Sequence, residues 1–393
     1  MHDLADAWTL DPAVSFLNHG SFGACPRAVL AAQSVLRSRL EAEPVRFFAR
    51  DYEPLLDAAR ADVARFVGAD PADLAFVGNA TTGVSTVLRS LPFSAGDELL
   101  VTDHEYPASR NALDFVADGA ADPVGVVVAK VPFPVPSAAA IVEAVLAAVT
   151  PRTRLLLIDH VTSQTGVIMP IAALAAALAP QGIDVVVDGA HGPGMLDLDI
   201  PALGAAYYVG NLHKWVCAPK ATAFLWVRKD RQDRVRPLAI SHGARSPRRD
   251  RARFQLELDW CGTWDPTAAL CAPEAIRHVG GLLPGGWPAV RAHNHSLVLA
   301  GRDLIAEALG TAAPVPDALI GAMASLPLPD GKQPPRGGID PLQDALWARG
   351  IEVPVVLWPA WPRRLLRVSA HLYNRHAQYE QLAGALREAL AAE

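Results

Sequence analysis

The sequence is short of sulfur, of surplus charge and of long apolar runs, and each shortage removes a class of function. Its four cysteines, Cys25, Cys217, Cys261 and Cys271, form no CxxC pair and follow no metal-ligand spacing. Free thiols in a reducing compartment are therefore expected, with no bound metal. A net charge of −6 over 393 residues argues against a surface built for nucleic acid. The basic run PRRDRAR, Pro247 to Arg253, is short and reads as an exposed loop or a subunit contact. No run approaches the ~18 apolar residues that cross a bilayer, the alanine-rich stretch Ile171 to Ala179 being far too brief. The first residues lack a basic segment followed by an apolar one, so no signal peptide and a cytoplasmic location are expected. What the chain does have is 51% hydrophobic against 19% charged residues, a packed globular composition, in a length that suggests two domains.

Short apolar runs alternate with helical patterns over the first two thirds. Strands are expected at 74–77, 97–103, 124–131, 154–159, 183–187, 205–209 and 221–227, and helices near 26–41, 53–67, 138–148 and 170–180. That alternation demands an α/β fold with a mainly parallel, doubly wound sheet. From Pro273 the pattern shifts to helices and shorter strands punctuated by Pro314, Pro316, Pro327 and Pro329, where a small C-terminal domain is placed.

Chemistry concentrates in VVVDGAHGPGMLDLDIPALGAAYYVGNLHKW, Val185 to Trp215. One apolar run ends on Asp188 and a small-residue turn with His191; a second run leads to Asn211, His213 and Lys214. Two strand ends thus bring an acid and an amine to the edge where ligands bind in such sheets. An amine that can form a Schiff base and an acid that can keep a pyridine nitrogen protonated are the groups a pyridoxal phosphate (PLP) site needs. Gly78-Asn79-Ala80-Thr81-Thr82-Gly83 follows a strand and opens a helix, a ready phosphate site in which Thr81 and Thr82 hold the anion. It is not a Walker loop, since no Gly-Lys-Ser/Thr follows. After the strand at 97–103 comes His104-Glu105-Tyr106, where an aromatic ring can lie on a cofactor ring; Tyr106 is favoured, with His104 in reserve. Arg367, within the apolar stretch Leu365 to Ala370, is costly to bury unpaired and has the planar fork that suits a carboxylate.

DGAH followed 26 positions later (214 − 188) by HKW resembles the aminotransferase class V family of fold-type I PLP enzymes. FLNHGSFG, from Phe16 to Gly23, and the RVS…YN pattern around Arg367 are similar to its isopenicillin N epimerase-like group. The resemblance implies a large domain with a mainly parallel seven-stranded sheet between helices, over 15–272, and a small α+β domain over 273–393. A segment 1–14 would pack with the small domain. It implies that Asp188 pairs with the pyridinium nitrogen, that His191 and Gln164 lie near the ring hydroxyl, and that Asn211 and His213 flank the phosphate. Arg367 would take the substrate carboxylate, with Asn18 and His19 at the mouth of the site and Arg50 a second anion contact. Thr263 would come from a neighbouring subunit, which makes the protein a homodimer with shared active sites.

Lys214 and Arg367 together imply an enzyme that binds an amino acid and removes its α-proton. Epimerisation needs a second proton donor, for which Tyr106 is the candidate. β-Elimination by a C–S lyase needs only Lys214 and a leaving group, and transamination stays open, as does a non-catalytic PLP-binding module. Persulfide-forming desulfuration is not expected, because VPVVLWPAWPRR, Val353 to Arg364, has no nucleophilic cysteine. Trp358 and Trp361 in that loop suggest an aromatic wall over a bulky or thioether side chain.

Overall fold

A computed structural model describes residues 4–120 and 123–393. Met1–Asp3 of the expected N-terminal segment lie outside the described residues. Seven strands form the main sheet: β2 (Leu74–Val77), β3 (Glu98–Thr102), β4 (Gly125–Ala129), β5 (Thr153–Asp159), β6 (Asp184–Asp188), β7 (Tyr207–Asn211) and β8 (Ala223–Val227), in the order β2-β8-β7-β6-β5-β3-β4. A short β1 (Ser15–Phe16) precedes them.

Strands β3 to β7 run parallel, so their C-terminal ends share one edge. β8 is antiparallel to both of its neighbours. Residues 212–222 are too few for a helical crossover, so the chain must turn back on itself after β7. Side chains alternate between two apolar layers: Leu156, Ile158, Val185 and Val187 enter one, and Leu155, Leu157 and Val186 the other. Both faces of a parallel sheet must be covered in this way. β7 begins two residues later than the apolar run suggests, which puts Asn211 at the strand end rather than in the following loop.

The C-terminal part builds an antiparallel sheet from β9 (Met323–Pro327), β11 (Val355–Leu357) and β12 (Arg364–Ser369), with the helices Gly286–Leu309 and His376–Ala392 beside it. β1 pairs in parallel with β10 (Ile351–Glu352) in a separate two-stranded sheet, which ties the glycine-rich loop at 18–23 to the C-terminal part. Trp8 packs edge-on against His371 and Tyr373.

Candidate active site

Asp188 ends β6, in register with Asp159 on β5 and Val209 on β7. Its carboxylate is buried and accepts hydrogen bonds from Ser109 Oγ (2.6 Å) and the Ala190 N–H (3.0 Å). Burial pushes this carboxyl up, and the two hydrogen bonds and Lys214 draw it back down. Trp215 Nε1 donates to His191 Nδ1 at 3.1 Å, so the neutral imidazole carries its proton on Nε2, 3.1 Å from Lys214 Nζ. A neutral amine accepts that proton well, whereas an ammonium would meet it with repulsion.

The electrostatics agree. Burial and the Arg367 charge lower the Lys214 amine from an ordinary 10.5 to about 8, against the pull of Asp188 and Asp159. A lysine depressed in the fold binds its proton more tightly when unfolded. It therefore destabilises the apoprotein below about pH 8, and that cost disappears as the pH rises toward 10.5. Lys214→Met is expected to raise apoprotein stability near neutral pH by on the order of 2 kcal/mol, with the difference from wild type closing in alkaline buffer. Denaturant melts at several pH values check this.

Lys214, Asp188, His191, Asn211, His213, Thr81 and Tyr106 line one cavity of about 140 Å³. Asn211 Oδ1 accepts the Ala80 N–H (2.9 Å), fastening the end of β7 to the start of helix Ala80–Ser90. His213 Nδ1 lies 3.1 Å from the Thr222 carbonyl, and burial with the Lys214 charge lowers its ring to about 4. Tyr106 and Phe22 line the cavity and are exposed, which puts them at its mouth.

Arg367 is only 4% exposed, and no acid accompanies it among the described residues. Nη1 donates to the Ser163 carbonyl (2.7 Å) and Oγ (3.2 Å), and Nη2 to Ser21 Oγ (2.8 Å) and Asn18 Oδ1 (3.3 Å). The other buried arginines are all paired: Arg60 with Asp259, Arg302 with Asp317 and Arg364 with Asp340. Burial of an unneutralised charge pushes the Arg367 guanidinium down to about 10. A site held in this state is suited to an incoming carboxylate.

Several expected residues sit elsewhere. His19 is fully buried behind the lysine, with Nδ1 2.7 Å from the Tyr373 hydroxyl and Nε2 3.0 Å from the Lys214 carbonyl, so it holds the lysine's main chain and does not line the cavity. Asn18 likewise acts through Arg367 and is fixed by donating to Glu352. His104 is buried with its ring nitrogens against Thr165 and the Val131 carbonyl, which leaves Tyr106 as the aromatic group at the cavity. Thr82 donates its N–H and hydroxyl to Asn79, the actual helix cap, while Thr81 lines the cavity. Ser163, not Gln164, lines it; the Gln164 side-chain oxygen is buried without a partner. Trp358 packs against His104 and Phe133, and Trp361 is exposed, so within the chain they form no wall over the site. Arg50 and Thr263 share a different groove, of about 910 Å³. The basic run beside that groove is neutralised: Arg248 pairs with Glu53 and Arg251 with Asp57.

Ser21, Ser109 and Ser163 support the two charged anchors and carry no sequence signal of their own, being single hydroxyls far along the chain from what they touch. Gly23 does carry one. At φ 68° and ψ 171° it occupies backbone space essentially reserved for glycine, and a Cβ there would lie 2.2 Å from the His213 carbonyl oxygen. Gly23→Ala is expected to cost about 1–3 kcal/mol in backbone strain alone and to displace Lys214, read as a lower melting temperature and weaker PLP retention.

The residues present suit pyridoxal phosphate. The Asp188 carboxylate is buried with no cation paired to it among the described residues, as a site for a pyridinium requires. The amine of Lys214 lines the same cavity, and the Thr81 N–H at the start of a helix has no acceptor among the described residues. Fold and site together define a fold-type I PLP enzyme. Residues 24–306 match the family model for aminotransferase class-V, and the chain belongs to that family. Among its relatives is isopenicillin N epimerase of Amycolatopsis lactamdurans, 38% identical over 98% of this chain and 99% of that one. L-cysteine desulfhydrase of Arabidopsis thaliana is 28% identical over 95% and 87%. In structure, a complex between the cystine C–S lyase C-DES and its product cysteine persulfide matches with a TM-score of 0.78 at 21% identity, over 95% of this chain and 97% of that chain.

Proposed function

We propose that this PLP enzyme removes the α-proton of an amino acid bearing a sulfur-containing or bulky side chain and returns it on the opposite face, as an epimerase. The observation that carries the reading is the acid-free Arg367, bonded to the cavity-lining Ser21 and Ser163 with its charge bearing on Lys214. Arg367 takes the α-carboxylate through its fork and so fixes how Cα lies over the site. Bound there, pyridoxal phosphate supplies the electron sink that makes the α-proton removable. Asp188 holds the ring nitrogen, Asn211, His213 and Thr81 surround the phosphate, and Lys214 takes the proton. Phe22 and Tyr106 at the mouth give an apolar or thioether side chain something to rest on. The relationship to an epimerase over nearly full length supports this choice.

C–S β-elimination is the second reading, favoured by the desulfhydrase relative and by needing no base other than Lys214. Tyr106→Phe separates the two. Loss of a positioned proton donor typically costs 10²–10⁴-fold, so the variant is expected to lose racemised product by about 10²-fold while α-proton loss continues. Chiral chromatography and release of pyruvate check it. Undiminished epimerisation would exclude Tyr106 as the second acid.

A homodimer is part of the same proposal. Arg50 and Thr263 are exposed in the large groove and away from their own Lys214, where a second copy could bring them to its site. Sedimentation is expected to give twice the 41.7 kDa chain mass. The division into 1–14, 15–272 and 273–393 is supported by the pairing of β1 with β10 and the packing of Trp8 on His371. The four free cysteines support a reducing, cytoplasmic setting.

A further inference from the structure

Behind Asp188 lie two more buried acids. Glu105, Asp159 and Asp188 are 5%, 2% and 1% exposed, and each offers an oxygen within 4.8 Å of the others. The topology enforces this: Asp159 and Asp188 are in-register ends of parallel neighbours, and Glu105 follows β3 on the other side of β5. None of the three forms an ion pair with a described residue. The charged groups that face them are Lys214, which acts on Asp159 and Asp188, and Arg367 beyond it. Tyr106, which follows Glu105, contributes its N–H to Asp159 Oδ2 at 3.1 Å.

The hydrogen bonds divide the three unequally. Asp188 has a donor on each oxygen, Ser109 Oγ and the Ala190 N–H, the pattern that stabilises an anion. Glu105 accepts the Asp159 N–H at 3.0 Å on Oε2, and its Oε1 is buried with no partner. A bare, buried carboxylate oxygen is unfavourable; the same oxygen carrying a proton, beside two other carboxyls, is not. Carboxyls this close and this dry cannot all ionise together. Burial and mutual repulsion push Glu105 and Asp159 well above the usual carboxylate range.

We propose that Glu105 and Asp159 share one proton at neutral pH, so that Asp188 remains an anion, and that Asp159, which lines the cavity, carries this proton to the edge of the active site. Glu105 is then a positioning residue that acts through Asp159. No bond other than O–H is made or broken: the proton moves between the two carboxyls and the pair keeps a single negative charge. The benefit to the ring nitrogen rests on the reading of Asp188 as its partner, whereas the shared proton does not.

Infrared spectra of the full chain, with and without PLP, test the proposal in wild type, Glu105→Gln and Asp159→Asn. Wild type is expected to show the C=O stretch of a protonated carboxylic acid at neutral pH, above the range where exposed carboxyls titrate, and each substitution is expected to remove or displace it. Glu105→Gln, which keeps the shape of the neutral acid, is expected to retain the visible absorbance of bound PLP. If that variant does not fold, Asp159→Asn carries the test. Absence of the band in wild type, or a band insensitive to both substitutions, overturns the shared proton. So does a stoichiometric metal ion in the purified protein with no such band, which would make the trio a cation site. The band is read without cofactor, so a failure of the PLP assignment, seen as no visible absorbance on adding PLP, is told apart from a failure of this one.

Discussion

Lys214→Ala is expected to abolish turnover, by at least about 10³-fold, and to remove the visible absorbance of the enzyme-linked cofactor while the fold persists. Three features of the structure make this the largest single effect. The amine is the only one at the cavity among the described residues, it is lowered to about 8 so that its neutral, nucleophilic form is far more populated near physiological pH than in an ordinary lysine, and His191 aims a proton at it from 3.1 Å. The flanking contacts reach the lysine through its backbone, by His19 on its carbonyl and Gly23 beneath it, so truncating the side chain leaves them in place. Circular dichroism and melting should therefore show an intact protein. An unchanged visible spectrum in this variant would sink the assignment of Lys214.

Arg367→Gln is expected to lower kcat/KM by about 10²–10³-fold, mainly through KM, because it removes a charge-assisted, two-pronged contact with the α-carboxylate. Arg367→Lys should recover only part of this, since an ammonium keeps the charge and loses the fork. The informative control is on the same strand. Arg364 is buried against Asp340 at 2.8 Å and also meets Glu393 at 2.5 Å, and its loss would leave the buried Asp340 without its cation. Arg364→Gln is therefore expected to cost about 3–5 kcal/mol of stability. Arg367 has no acid to abandon, so Arg367→Gln should leave the melting temperature near or above wild type while binding fails. Steady-state kinetics with thermal melts on both variants check the contrast. Equal loss of stability in the two would mark Arg367 as a structural residue.

How far the site could be read from the chain depended on the range of the contact. The meeting of Asp188 and Lys214 at one cavity was legible because Asp188 ends one apolar run and Lys214 closely follows the next, and a parallel sheet must put such ends on one edge. Arg367 was legible because a charge inside an apolar strand needs an explanation. Thr82 was assigned to the phosphate because two threonines at a helix start look equivalent, yet Asn79 takes the cap and turns Thr82 toward itself. His19 was placed in the substrate site because it belongs to a glycine-rich loop near the mouth; only the fold shows that β1 and β12 draw that loop behind the lysine. Glu105 and Asp159 gave no signal at all, since an acid at a strand end looks like a cap until its neighbours in the sheet are known. The separation of Arg50 and Thr263 from Lys214 is a feature of the folded chain that spacing along the sequence cannot express.

The central claim is that Lys214, with Arg367 holding the carboxylate, takes the α-proton of an amino acid. Proton NMR of the PLP-loaded enzyme in deuterated water, with a panel of L-amino acids and cysteine thioethers, measures it most directly. Loss of the α-proton signal from at least one compound is expected with wild type and not with Lys214→Ala. An intact carbon skeleton would then mark epimerisation, and release of pyruvate, ammonia and a thiol would mark elimination. Exchange that proceeds equally in Lys214→Ala, or no exchange with any compound, would contradict the account.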